Sequence, residues 1–169
     1  TATDERPLMN ATAQTLLGIA KAAGDAILEI YRQDFAVHQK GDESPLTAAD
    51  LASHRTIAQG LGELDPRTPL LSEEGADIPF EQRRDWPRYW LIDPLDGTRE
   101  FVKRNGEFTV NIALIEHGEA TLGIVHVPVT GISYVGIRGE GAWKLEADGQ
   151  TTDIEVERRH HRPVRVAGS

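Results

Sequence analysis

The sequence predicts an α+β fold in which two N-terminal helices pack on one face of a mostly antiparallel β-sheet. Two observations carry this expectation. In the first part of the chain, apolar residues recur at three- and four-residue spacing: Leu16, Ile19, Ala20, Ala23, Ile27 and Ile30 in one run, then Leu51, Ile57, Ala58 and Leu61 in a second. From Phe108 onward the pattern changes to short apolar stretches divided by turn sequences, and links that short join antiparallel neighbours. Helices first and strands after, without regular alternation, is the arrangement of an α+β layer fold.

Taken in order, residues 1–9 form a polar leader and Asn10 stands where it can cap the first helix, which the periodicity carries to about Asp34. Val37 to Leu46 is a polar, turn-rich connection. Thr47 then stands three residues before Asp50, a capping-box spacing, so the second helix is expected from about Ala48 to about Leu64. Asp50 is therefore either the acidic half of that box or a site carboxylate. Pro69 to Ser72 is extended and delivers Glu73 and Glu74 before Gly75; paired glutamates beside a glycine ordinarily face water, and Glu74 is read that way. Residues 76–88 read as a polar surface loop. Tyr89 to Ile92 has the residue types of a buried strand and leads into Asp93 and Asp96. Four strands follow, Val110 to Ile115, Ala120 to Val127, Ile132 to Ile137 and Ala142 to Leu145. The basic run 157–165 reads as a solvated tail, and its neighbouring His160 and His161 point apart, which disfavours a shared ion.

Composition narrows the classes of function. A chain of 169 residues with 39% hydrophobic and 27% charged residues is ordinary for one soluble domain. It contains neither an apolar run long enough for a membrane span nor a secretory signal, so a cytoplasmic location is expected. The absence of cysteine excludes disulfides, thiolate metal sites and cysteine nucleophiles. A net charge of −9 argues against a general nucleic-acid binder. It leaves room for a phosphorylated small molecule, because a bound cation reverses the field inside one cleft.

The chemistry concentrates in Asp-Pro-Leu-Asp-Gly-Thr (93–98). Pro94 fixes a backbone angle and Gly97 adopts angles other residues avoid, so the two acids are expected on a rigid turn. Oxygen donors in that setting suit Mg²⁺, which takes one or two carboxylates, keeps several waters and completes its shell with substrate phosphate oxygens. A short helix over Arg99 to Arg104 would aim the N–H groups of Gly97 and Thr98 at a phosphate. Asp-Pro and Asp-Gly are also common turn dipeptides, so the six residues alone have an ordinary structural reading.

Together with its continuation Arg-Glu-Phe-Val-Lys-Arg-Asn-Gly-Glu-Phe-Thr-Val-Asn-Ile-Ala-Leu-Ile (99–115), this motif resembles the signature of the Mg²⁺-dependent, lithium-sensitive inositol monophosphatase superfamily. The likeness is greatest to its 3'(2'),5'-bisphosphate nucleotidase branch. Lys-Gly-Asp-Glu-Ser-Pro-Leu-Thr-Ala-Ala-Asp (40–50) and Leu-Ser-Glu-Glu (71–74) match the same pattern. The resemblance implies that Glu73, Asp93 and the Leu95 carbonyl bind a first Mg²⁺ and that Asp93 bridges to a second held by Asp96. It further implies that Thr98 and Asp50 position the attacking water, and that Lys40, Gly97 and Thr98 serve the phosphate. The implied substrate is a small nucleotide bisphosphate, adenosine 3',5'-bisphosphate first. An inositol monophosphatase or fructose-1,6-bisphosphatase-like activity is the alternative, and a non-catalytic metal-binding module is a further one. In one respect the chain departs from the pattern: the family's later Trp-Asp-x-x-Ala-Gly motif is missing, since Trp86, Trp90 and Trp143 precede Pro87, Leu91 and Lys144. Residues 1–163 are accordingly expected to be the N-terminal domain of a layered αβαβα sugar-phosphatase fold, and 164–169 the start of a second. That implies a requirement for a C-terminal domain or a complementing chain, with self-association through the face left open.

Overall fold

The computed structural model describes residues 9–33 and 44–156. Lys40, most of the 37–46 connection, the tail with His160 and His161, and the expected domain start at 164–169 lie outside the described residues.

Helix α1 (Ala11–Tyr31) begins as its sequence dictates, with the Asn10 side chain accepting the Ala13 N–H at 2.9 Å. Its buried stripe is Ala13, Leu16, Leu17, Ala20, Ala23 and Ile27. The helix stops three residues short of the expected Asp34. The Arg104 guanidinium donates to the carbonyls of Tyr31 (2.6 Å) and Gln33 (3.2 Å), satisfying groups that another turn of helix would otherwise take up.

Helix α2 (Pro45–Leu64) starts upstream of the expected Ala48. Ser44 is the cap, accepting the Thr47 N–H at 3.1 Å, and Pro45 occupies the first turn, where its missing N–H costs nothing. Thr47 is thus inside the helix, and Asp50 lies a turn beyond the cap. Capping does not account for it.

Among the described residues seven strands form one sheet in sequence order. They are β1 (Leu70–Ser72), β2 (Arg88–Asp96), β3 (Thr109–Glu116), β4 (Glu119–Val127), β5 (Ile132–Ile137), β6 (Gly141–Leu145) and β7 (Thr151–Asp153). Among the described residues only β1 and β2 pair in parallel. The short helices α3 (Phe80–Arg83) and α4 (Thr98–Lys103) flank β2. Strand β7 is three polar residues without an apolar pattern; its pairing with β6 defines it, which is why periodicity does not reveal it. Likewise, the loop expected over 76–88 holds one helical turn and the first residue of β2.

One face of the sheet carries Trp90, Ile92, Val110, Ile112, Ile124, Val135 and Trp143 against α1 and α2, all within a single core. Phe101 of α4 joins it through an aromatic cluster with Tyr31 and Phe108, with centroids 5.0–5.4 Å apart. Buried His126 bonds Ser133 at 2.9 Å, its ring pressed so closely on Gly24 of α1 that a Cβ there would come within 2.8 Å.

Candidate metal and phosphate site

The site forms where β1 and β2 end together. Their parallel pairing places Ser72 opposite Ile92, so Glu73 and Asp93 leave neighbouring strands at the same level, tied by the Glu73 N–H to the Ile92 carbonyl at 3.3 Å. The expected rigid turn is instead a continuation of β2 with a register shift between Asp93 and Asp96. In a regular strand residues three apart point to opposite faces, whereas one extra residue in a bulge returns both to the same side. Asp93 pairs with Asn111 and Asp96 with Thr109, three residues of β3 facing four of β2. Buried Ser53 of α2 fastens the bulge by donating to the Pro94 carbonyl at 2.7 Å. Gly97 closes it at φ 95°, where a Cβ would lie 2.9 Å from the Glu107 carbonyl oxygen. Thr98 then opens α4, whose cap makes no side-chain hydrogen bond.

Across from the bulge, α2 contributes Asp50, which is 8% exposed and whose Oδ1 has no partner. Burial, followed by the charge of Glu74 and a hydrogen bond with it, and then by Asp93 and Glu73, raises the Asp50 carboxyl from 3.8 to about 7. Asp93 is raised from 3.8 to about 6 by burial first and then by Glu73 and Asp96, partly offset by the Leu95 N–H donated to it. Among the described residues no lysine or arginine pairs with Asp50, Glu73, Asp93 or Asp96. Among the described residues these carboxyl groups thus crowd together without a countercharge.

Of the positions expected to serve a metal or a water, Asp50, Glu73, Asp93 and Asp96 stand close enough at this end of the sheet to perturb one another; Leu95 lies within the bulge, and Gly97 and Thr98 follow it at the start of α4, while Lys40 lies outside the described residues. Glu74, expected to be solvated, is exposed but engages Asp50. No feature of a Glu-Glu-Gly string tells the two glutamates apart. Three other residues were not legible as part of the site: Ser53; His54, whose Nδ1 bonds Ser72 Oγ at 2.8 Å and so ties α2 to the end of β1; and Asn111, which donates to Asp96 Oδ2 at 3.1 Å. For Asn111 a signal existed, namely a polar residue at an alternate position of an otherwise apolar strand.

The donor set is oxygen only. Among the described residues no three His, Asp or Glu side chains close around one point, so an ion here would complete its shell with the Leu95 carbonyl, water and substrate oxygens. That is the habit of Mg²⁺ and not of a closed structural metal, and a hard divalent cation also supplies the missing countercharge. A cleft of about 800 Å³ opens beside the acids, lined by Glu73, Asp93 and Asn111 and walled by Leu91, Ala113 and Val125.

The sequence model of the inositol monophosphatase family matches residues 9–168. The chain belongs to this family. It is 52% identical over 151 residues to the 3'(2'),5'-bisphosphate nucleotidase CysQ of Escherichia coli K12, and 40% identical over 137 residues to that of Aggregatibacter actinomycetemcomitans. The alignments cover 88% and 81% of this chain but 59% and 51% of those relatives. Among solved structures, CysQ from Bacteroides thetaiotaomicron, a bacterial member of the family, superposes with a TM-score of 0.73 at 35% identity, over 95% of this chain and 60% of that one. The extragenic suppressor protein SuhB of Bartonella henselae gives a TM-score of 0.66 at 27% identity, covering 80% and 51%. The chain thus spans about three fifths of the length of its CysQ relatives from E. coli and B. thetaiotaomicron. Among the described residues no helix is long and apolar enough to cross a membrane.

Proposed function

We propose that this chain carries the metal and phosphate site of a Mg²⁺-dependent phosphatase that hydrolyses a small-molecule phosphate monoester, specifically the 3'-phosphate of adenosine 3',5'-bisphosphate. The observation that carries the reading is the uncompensated carboxylate cluster at the ends of β1 and β2, with the partnerless Asp50 Oδ1 beside it. The choice of substrate is supported by the nucleotidase names of relatives such as that of E. coli, 52% identical.

In this reading Glu73, Asp93, Asp96 and the Leu95 carbonyl would hold the metal. Bound Mg²⁺ supplies Lewis acidity, favouring deprotonation of water and neutralising charge on the phosphoryl oxygens. The remaining work falls to the chain. The Thr98 hydroxyl and the Asp50 carboxylate orient the attacking water, and Asp50 takes its proton. The backbone N–H groups of Gly97 and Thr98, with Lys40, hold the phosphoryl oxygens. Water adds to phosphorus as the bond to the ribose 3'-oxygen breaks, and that oxygen takes up a proton from solvent and leaves as the 3'-hydroxyl of AMP, with phosphate as the other product. Residues 1–163 act in this account as one domain of a cytoplasmic protein, completed by a C-terminal domain or a complementing chain.

The test is phosphate release from adenosine 3',5'-bisphosphate by the full-length protein, with Mg²⁺ and with added Li⁺. Lithium-sensitive release supports the reading. Release from inositol 1-phosphate alone would replace the substrate, and binding of Mg²⁺ without release from any phosphate monoester would make this a non-catalytic metal module.

A further inference from the structure

We propose that Asn111 is a positioning residue for the cation site, its side-chain amide holding Asp96 Oδ2 so that the remaining lone pairs of that carboxylate face the ion. The inference deepens the reading above and rests on it. Three observations converge. Asn111 Nδ2 donates to Asp96 Oδ2 at 3.1 Å, and Thr109 Oγ1 donates to Asn111 Oδ1 at 3.0 Å. Since the hydroxyl donates to the amide oxygen, that oxygen is engaged on the Thr109 side and the amide nitrogen is left toward Asp96, whose ionised carboxylate can only accept. Thr109 thereby sets the orientation of Asn111, and Asn111 sets that of Asp96.

The register explains why one amide reaches Asp96 from the position facing Asp93. Asn111 is the strand partner of Asp93 and Thr109 that of Asp96. The bulge brings Asp96 back to the same face as Asp93, within reach of the Asn111 side chain. The relay therefore exists only because β2 is irregular there, and it links β3 to an acid whose partners would otherwise be solvent and like charges. Asn111 also lines the cleft beside Glu73 and Asp93, so it stands at the site and not behind it. Ligating carboxylates are commonly held by such partners, and removing one typically costs about 10–100-fold in metal affinity. A merely structural Asn111 would instead bind β3 to β2 and alter folding while leaving ion affinity unchanged.

The experiment is a Mn²⁺ titration of the full-length protein, read by the loss of the free-ion EPR signal and accompanied by thermal unfolding in chelator. Asn111→Leu keeps the branched shape and deletes the donor; Thr109→Val deletes only the hydroxyl that orients the amide. The expected result is roughly 10–100-fold weaker Mn²⁺ binding for Asn111→Leu and a smaller loss for Thr109→Val. Thr109→Val should have no further effect in the Asn111→Leu background, and the chelated proteins should unfold at similar temperatures. Wild-type affinity in both single variants, or independent additive losses, overturns the relay. So does a fall in unfolding temperature with affinity intact. If Asn111→Leu does not fold, Thr109→Val decides alone. Absence of Mn²⁺ binding in the wild-type protein would instead sink the metal reading beneath it, a result distinct from any variant effect.

Discussion

Replacing Asp50 by asparagine should stabilise the metal-free protein at alkaline pH. Asp50 is nearly buried, has one oxygen without a partner, and stands among Glu74, Asp93 and Glu73. Its carboxyl is raised from 3.8 to about 7. Between those values the folded chain keeps a proton that the unfolded chain has released, so stability falls as pH rises through the window. The cost is absent below it and complete above about pH 7. At about 1.36 kcal/mol per pH unit the gap corresponds to roughly 4 kcal/mol as an upper limit, because part of the rise comes from the hydrogen bond and charge of Glu74, which can relax. Asparagine has a similar shape and no charge, so it avoids this cost. The expected gain is about 2–4 kcal/mol at pH 8, or very roughly 5–12 °C in unfolding temperature for a protein of this size or larger. Thermal unfolding in chelator at pH 4 and pH 8 checks it, and the gap should close at pH 4. Adding Mg²⁺ at pH 8 should also narrow it, because a cation favours the ionised carboxylate. Equal or lower stability of Asp50→Asn at pH 8, or a gain that does not depend on pH, would refute the electrostatic account.

Two further outcomes follow from the same geometry. Ser53→Ala leaves the buried Pro94 carbonyl without its 2.7 Å donor, and should lower unfolding stability by about 1–3 kcal/mol in a denaturant titration while loosening the bulge that presents both acids. Thr98→Ala and Asp50→Asn should each lower turnover on the order of 10²–10⁴-fold, with the double variant little worse than the poorer single one; additive losses in log rate would show that they do not serve the same water.

Much of this was legible in the sequence, for identifiable reasons. Helix α1 announces itself because its apolar residues fall on one stripe and Asn10 caps it. Strand β5 was read over the range it occupies, because apolar residues and turn signals bound it on both sides. The acids of the site were legible as residues in strand-end positions. Their geometry was not: nothing in Asp-Pro-Leu-Asp says that the strand continues through the motif with an extra residue, since that irregularity is set by pairing with β3. Thr47 looked like a cap because its spacing to Asp50 suits a capping box. Ser44 followed by proline competes for the same helix start and prevails, which leaves Asp50 buried. The contacts of Glu74, read as solvated, and of Asn111 are not legible because their partners are distant in the chain: Asp50 is 24 residues before Glu74, and Asp96 is 15 before Asn111.

The central claim is that the crowded acids of β1 and β2 exist to hold a divalent cation, with Asp93 shared. Calorimetric titration of Mg²⁺ into the full-length protein and its Asp93→Asn variant at pH 7.5 tests it most directly. The account predicts saturable binding by the wild-type protein and a loss on the order of 100-fold or more in the variant, since removing the shared carboxylate disturbs both ions. Wild-type affinity in Asp93→Asn, or no binding by the wild-type protein, would contradict it.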